Sequence, residues 1–164
     1  NNQSRSKCPV KFFPLIFTNA LNDKPLPIYG DGQQVRDWLY VTDHCDAIAT
    51  VLEKGELGEV YNIGGNNELA NIDVVHHICA LLDELRPRAT GNYADLITYV
   101  TDRPGHDRRY AIDASKMKNQ LGWSPRETFE TGMRKTVEWY LNNSAWVEGV
   151  TSGTYREWIE GQYD

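Results

Sequence analysis

Apolar residues recur at helical spacing in several stretches of the chain and alternate in shorter ones between them, so helices and strands are expected to interleave. Over residues 12–21 the positions Phe12, Leu15, Ile16, Asn19 and Ala20 share a face, and Asn22-Asp23-Lys24-Pro25 ends the helix. A short strand is expected at 26–29, a tight turn at Gly30-Asp31-Gly32, and a second strand at 35–41 with Val35, Leu39 and Val41 on one side. Asp43 is placed to cap a helix bearing Ala47, Ile48, Val51 and Leu52 that stops at Gly55. Residues 59–63 read as a strand ended by Gly64-Gly65, and 72–85 carries the clearest helical stripe: Ile72, Val75, Ile78, Leu82 and Leu85. Strands at 97–100 and 109–112 flank the turn Asp102-Arg103-Pro104-Gly105-His106. Helices follow at 115–121 and 129–141, and an aromatic tail, 146–163, packs as an arm or short helix. The alternation predicts an α/β fold.

Length and composition narrow the function. A chain of 164 residues with 40% hydrophobic content can bury one ordinary core. With 17 basic against 23 acidic residues the net charge is -6, which argues against a surface that recruits nucleic acid while leaving room for a local anion site. No apolar run approaches bilayer-spanning length, so no membrane partner is expected. Cys8, Cys45 and Cys79 are scattered, odd in number and without a CxxC, which fits a reduced cytoplasmic compartment. The opening Asn1-Asn2, with no methionine, suggests a piece of a larger protein.

The chain has no GxGxxG, no Walker A sequence, no Tyr followed four residues later by Lys, and no nucleophile elbow. His76 and His77 diverge by roughly 100° around a helix and cannot share an ion. His76 and Cys79 share a face, but two ligands are too few for a metal, and a solvent-side histidine beside a core cysteine is the expected arrangement. No catalytic residue and no metal site are assigned.

Several stretches resemble the dTDP-glucose 4,6-dehydratases, extended short-chain dehydrogenase/reductases of nucleotide-sugar metabolism. They are PLPIYGDGQQVRDWLYVTDH (25–44), GEVYNIGG (58–65), NIDVV (71–75), ITYVTDRPGHDRRYAIDASK (97–116), LGWSP (121–125) and TFETGMRKTVEWYL (128–141). The RDWLYV and GEVYNIG segments also recur in related epimerases and decarboxylases, whereas DRPGHDRRYAID with PLPIYG is more particular to the dehydratase. The resemblance implies the C-terminal nucleotide-sugar-binding lobe of an extended Rossmann-type lyase, its NAD-binding and catalytic portion lying outside this chain. An atypical segment, 1–13, would precede a substrate-binding domain, 14–164. NAD would serve the full-length enzyme and not be held by this fragment, and a homodimer would form through the missing portion. The rivals are a UDP-sugar epimerase or decarboxylase relative, and a non-catalytic sugar-nucleotide-binding module.

The site residues follow from residue types in part and from the resemblance in part. Arg103-Pro104-Gly105-His106 has the chemistry of a type II turn, which brings Arg103 and His106 to its ends. A guanidinium beside an imidazole suits a diphosphate, and the plain alternative is a surface salt-bridge network with Asp102 and Asp107. The resemblance makes Arg36 a phosphate ligand; otherwise it is an edge-strand arginine in water. Tyr29, set by Pro27 and Ile28, would stack on a pyrimidine, or else be a core aromatic at a strand end. Asn71 is either the N-cap of the best helix or a nucleotide contact, or both. The resemblance adds Lys11, which would reach phosphate, Phe12 beside it where the family has an aliphatic residue, Tyr155 closing over the nucleotide, and Asn1, although residues 3–8 depart from the family pattern.

Overall fold

The computed structural model describes residues 12–151. Its elements run α1 (Phe12–Leu21), β1 (Leu26–Tyr29), β2 (Val35–Asp37), α2 (Val41–Lys54), β3 (Glu68–Ala70), α3 (Asn71–Leu85), a 3-10 turn (Tyr93–Leu96), β4 (Ile97–Val100), α4 (Ser115–Leu121), α5 (Phe129–Asn142) and α6 (Ser144–Thr151). The arrangement is α/β, with two small sheets, β1 beside β4 and β2 beside β3. The chain divides into two compact units, one of Tyr29–Val74 with Thr101–Lys135, the other holding the rest.

In the unit that contains α1, β4 and most of α3, Ile16, Phe17, Leu26, Ile28, Ile78 and Leu82 are each no more than 1% exposed. Burial of such side chains stabilises by about 1.5–3 kcal/mol apiece. The α3 stripe faces this core as its spacing requires, while His76 and His77 are exposed. On α1 the buried residues are Pro14, Ile16, Phe17 and Ala20, a face rotated from the expected one and directed by Phe17, whose ring stacks on Tyr140 at 4.5 Å. Buried Tyr93 donates its hydroxyl to Arg86 O at 2.9 Å, which satisfies its polar end.

In the other unit β2 and β3 pair antiparallel, with Val35 opposite Ala70, Arg36 opposite Leu69 and Asp37 opposite Glu68. Ala47, Met117, Leu121 and Trp123 form the core here, flanked by Leu39, Val51, Tyr61 and Ile63. Helix α4 ends on Gly122, whose φ of 69° is the left-handed cap that glycine adopts without strain.

Four expectations are corrected in this unit. Strand β2 stops at Asp37, because the Asp37 carboxylate turns to accept the Gly65 and Asn67 N–H groups at 2.7 and 2.8 Å. Val41 therefore opens α2 instead of ending a strand. Asp43 lies inside that helix and is buried; its Oδ2 accepts from the Arg126 and Glu127 N–H groups at 3.1 and 2.9 Å, so it anchors the loop before α5 and caps nothing. Residues 59–63 alternate, with Tyr61 and Ile63 toward the core and Val60 76% exposed, yet they join no strand among the described residues. The strand expected at 109–112 is a single parallel bridge, Val35 to Arg109, while β3, too short for a readable pattern, was not expected.

Candidate anion-binding site

The chemistry concentrates around β2 and the loop 101–110. Gly105 has a φ of 70°, so the Pro104-Gly105 pair forms the turn its sequence requires. Ahead of it, Asp102 gathers three donors. Arg103 N–H and His106 Nδ1 reach its Oδ1 at 2.8 and 2.7 Å, and Gln34 Nε2 donates to its Oδ2 at 2.7 Å. Burial opposes ionisation of Asp102, but the hydrogen bonds from His106, Arg103 and Gln34 outweigh it and hold the carboxyl below its usual range. Gly30, at φ 59°, makes room for this carboxylate; a Cβ there would lie 3.0 Å from Asp102 Oδ2.

Arg36 sits across the site on β2. Its Nη1 donates to Val35 O at 2.7 Å, and its Nη2 donates to Asp107 O and to His106 Nε2, each at 3.1 Å. A guanidinium only donates, so His106 Nε2 is the acceptor and the ring proton is on Nδ1, facing Asp102. The guanidinium also lies 4.8 Å from the ring centroid of Tyr110. Tyr110 donates its hydroxyl to Asp107 Oδ2. That bond and the Asp107 charge raise the phenol's pKa, while Arg36 and Arg103 pull it down.

The four arginines of this region differ in how their charge is balanced. Arg108 donates to both oxygens of Asp31 at 2.9 and 3.0 Å, and Arg109 makes a two-pronged pair with Glu68 at 2.6 and 2.8 Å. Arg36 is half-buried, and its acceptors among the described residues are two main-chain carbonyls and a neutral imidazole. The Arg103 side chain is exposed, with no hydrogen-bond partner among the described residues. Among the described residues Arg36 and Arg103 are thus cations without a bonded carboxylate, which makes this face receptive to an anion.

Gln34 is 3% exposed, and its Oε1 has no partner among the described residues. Such an orphan costs on the order of 1–3 kcal/mol. The opposite amide orientation would set Oε1 against the Asp102 carboxylate, so the bond to Asp102 determines which way the amide points.

Of the residues expected from sequence, Arg36 and His106 are in direct contact, and Arg103 lies on the same turn as His106. The plain reading of this turn accounts for His106, which is paired with Asp102 at 2.7 Å. Tyr29 is 47% exposed, so its ring is not a core aromatic. Asn71 is the first residue of α3, and its N–H is spent on Gln34 O at 3.0 Å; the next, Ile72 N–H, goes to Gly32 O at 3.0 Å. The first two donors of the helix are therefore used internally, and any ligand contact of Asn71 is through its half-buried side chain. Ile28 is 1% exposed, so its side chain belongs to the core and offers a ligand only main-chain atoms. Pro27 and Phe12 are half-buried. Asn1, Lys11 and Tyr155 lie outside the described residues, as does Cys8. Sequence reading missed Gln34 and Tyr110; no local pattern marks a glutamine that answers a carboxylate 68 positions away.

No group of three or more potential metal ligands occurs among the described residues. Burial, and then the nearby Asp83 charge, push the Cys79 thiol up to about 12, so it is a packed and unreactive group.

A family model described as GDP-mannose 4,6 dehydratase matches residues 1–136. The chain belongs to that family. It is 60% identical over 164 residues to a dTDP-glucose 4,6-dehydratase of Salmonella typhimurium, a match that covers 100% of this chain and 45% of the relative. Among solved structures it resembles a dTDP-glucose 4,6-dehydratase from Bacillus anthracis in complex with NAD, with a TM-score of 0.76 and 55% identity over 87% of this chain and 42% of that one. A dTDP-glucose 4,6-dehydratase from Streptomyces venezuelae, also solved with NAD bound, has a TM-score of 0.75 and 42% identity over the same shares of 87% and 42%. This family member therefore spans about 45% of the length of the curated relatives it matches.

The residues of this dehydratase-family chain do not fit NAD at either of its glycine pairs. Gly32 donates its N–H to Tyr29 O and accepts from Ile72 N, and Gly65 donates to Asp37. A Cβ on Gly65 would lie 2.2 Å from Trp38 O, and one on Gly64 would lie 2.7 Å from Asp37 Oδ2. Both pairs serve close internal packing instead of cradling a pyrophosphate.

Proposed function

We propose that this chain is the sugar-nucleotide-gripping part of a dTDP-glucose 4,6-dehydratase, with residues 14–164 as its substrate-binding domain. The observation that carries the reading is the pair Arg36 on β2 and Arg103 on the turn, cations that bond no carboxylate among the described residues, whereas Arg108 and Arg109 are each paired with one. A diphosphate supplies the missing charge, and a guanidinium meets it with parallel charge-assisted hydrogen bonds. The exposed ring of Tyr29 offers a face to a pyrimidine, and the Asn71 side chain offers an amide to its edge.

The full-length enzyme would convert dTDP-glucose to the 4-keto-6-deoxy sugar. NAD, held outside this chain, would supply the oxidation at C4 and the return of hydride. This chain's own residues bind and orient: Arg36 and Arg103 hold the phosphates, and Tyr29 sets the base. None of them is placed as an acid or base toward the hexose, so the isolated chain should not turn over substrate with or without added NAD. We place the enzyme in the cytoplasm as a homodimer assembled through its other portion. The free thiols Cys45 and Cys79 agree with a reducing compartment. No helix among the described residues is long and apolar enough to cross a membrane.

The test is competition and calorimetry on the full-length enzyme. Free dTDP should displace dTDP-glucose, and glucose 1-phosphate should do so poorly. Tyr29→Ala should weaken dTDP at low and high salt alike, whereas Arg36→Ala should flatten the salt dependence. Unaltered dTDP affinity in both variants would remove the chain's assignment as the nucleotide grip.

A further inference from the structure

The hydrogen bonds around His106 assign it a role that differs from direct contact with phosphate. Gln34 Nε2 bonds Asp102 Oδ2, Asp102 Oδ1 takes the His106 Nδ1 proton, and His106 Nε2 accepts from Arg36 Nη2. The imidazole's one proton is used on Asp102 and its one lone pair on Arg36, so the ring has nothing to give an anion. We propose that His106 is a positioning residue. Held in one tautomer by Asp102, it orients the Arg36 guanidinium for the substrate diphosphate, and Gln34 in turn orients Asp102. The proposal rests on the reading of Arg36 as a phosphate ligand.

The arrangement has a consequence of definite sign. The groups that face His106 are Asp102 on its own turn and Arg36 from β2, with Asp107, Tyr110 and Arg103 next to these and Gln34 behind Asp102. A proton added to Nε2 would point a second donor, on a cation, at a guanidinium nitrogen 3.1 Å away. The contact must then open and Arg36 loses its brace. Acid would therefore weaken diphosphate binding, even though it adds a positive charge to the site. A histidine that touched phosphate directly would do the reverse, since the imidazolium is the better phosphate donor.

The experiment measures affinity of the full-length enzyme for an aryl ester of thymidine diphosphate, which has no terminal phosphate to titrate and no sugar to react. The measurement compares about pH 7.5 with about pH 5.5. Circular dichroism at each pH confirms that the protein stays folded. The parent should lose affinity on acidification by about tenfold, as expected for a charge-assisted hydrogen bond that loses its geometry. His106→Gln offers an oxygen for Arg36 and cannot titrate, so whatever its affinity at neutral pH its profile should be flat. Parent affinity that is flat or rises with acid, or a fall that persists in His106→Gln, would overturn the positioning role. Arg36→Ala separates the two readings: if it binds the ester as tightly as the parent, Arg36 is not a phosphate ligand and the underlying assignment is what fails.

Discussion

Arg36 and Arg103 are both assigned to phosphate, but the structure predicts that their removal will have different consequences. The Arg103 side chain is exposed and makes no hydrogen bond among the described residues, so Arg103→Ala should leave folding stability within about 0.5 kcal/mol of the parent. Its loss should fall on the ligand. One charge-assisted contact is worth about 1.5–3 kcal/mol. At about 1.4 kcal/mol per factor of ten, that predicts KM for dTDP-glucose rising roughly ten- to hundredfold, with kcat little changed because the phosphates are held in ground and transition states alike. Arg103→Lys should recover only part, since a point charge does not reproduce the planar fork. Arg36→Ala also deletes bonds to Val35 O, Asp107 O and His106 Nε2 and a cation over Tyr110. At about 0.5–1.5 kcal/mol for each hydrogen bond, and less than their sum where the groups are half-exposed, it should cost on the order of 1–3 kcal/mol of stability as well as affinity. The assay is initial-rate kinetics on the full-length enzyme beside thermal melts of both variants. An unchanged KM in Arg103→Ala would show that this arginine only decorates its turn. Equal melting losses in the two variants would refute the contrast between an unpartnered and an internally bonded guanidinium.

Three further outcomes are expected. Gly30→Ala should destabilise by about 1 kcal/mol or more in a thermal melt, because the left-handed φ of 59° and the 3.0 Å approach to Asp102 Oδ2 both penalise a Cβ; an unchanged melting temperature would show that the turn relaxes freely. Under native conditions a maleimide should label exposed Cys45 and spare buried Cys79, whose thiol pKa is near 12, and Cys79 should react only on unfolding, as read by mass spectrometry. Asp102 titrates below its ordinary value in the folded protein, so the unfolded chain takes up that proton first on acidification. Its contribution is therefore present above the unfolded carboxyl's pKa of about 3.9 and is lost as pH falls through the lower folded value, and Asp102→Asn should make the acid limb of the stability profile shallower.

What the sequence determined by itself was local. The stripe from Ile72 to Leu85 had to be a helix because a 3.6-residue repeat buries one face, and its face is buried, with only its last position, Leu85, half-exposed. The Pro104-Gly105 turn followed from a fixed φ beside a permitted positive one. The motifs likewise carried the family, since they are runs of adjacent residues. The tertiary structure decided what needed partners far along the chain. Residues 59–63 alternate as a strand should, but a ladder takes a second backbone, and none of the described residues supplies it. Strand β2 ended early because Asp37 found main-chain donors at Gly65 and Asn67, and Asp43 left its expected cap for the N–H groups of Arg126 and Glu127. Four arginines look alike in the sequence. Only the folded chain sets Arg108 against Asp31, Arg109 against Glu68 and Arg36 against a histidine 70 residues away, because hydrogen bonds depend on ångströms in space and not on positions in a chain.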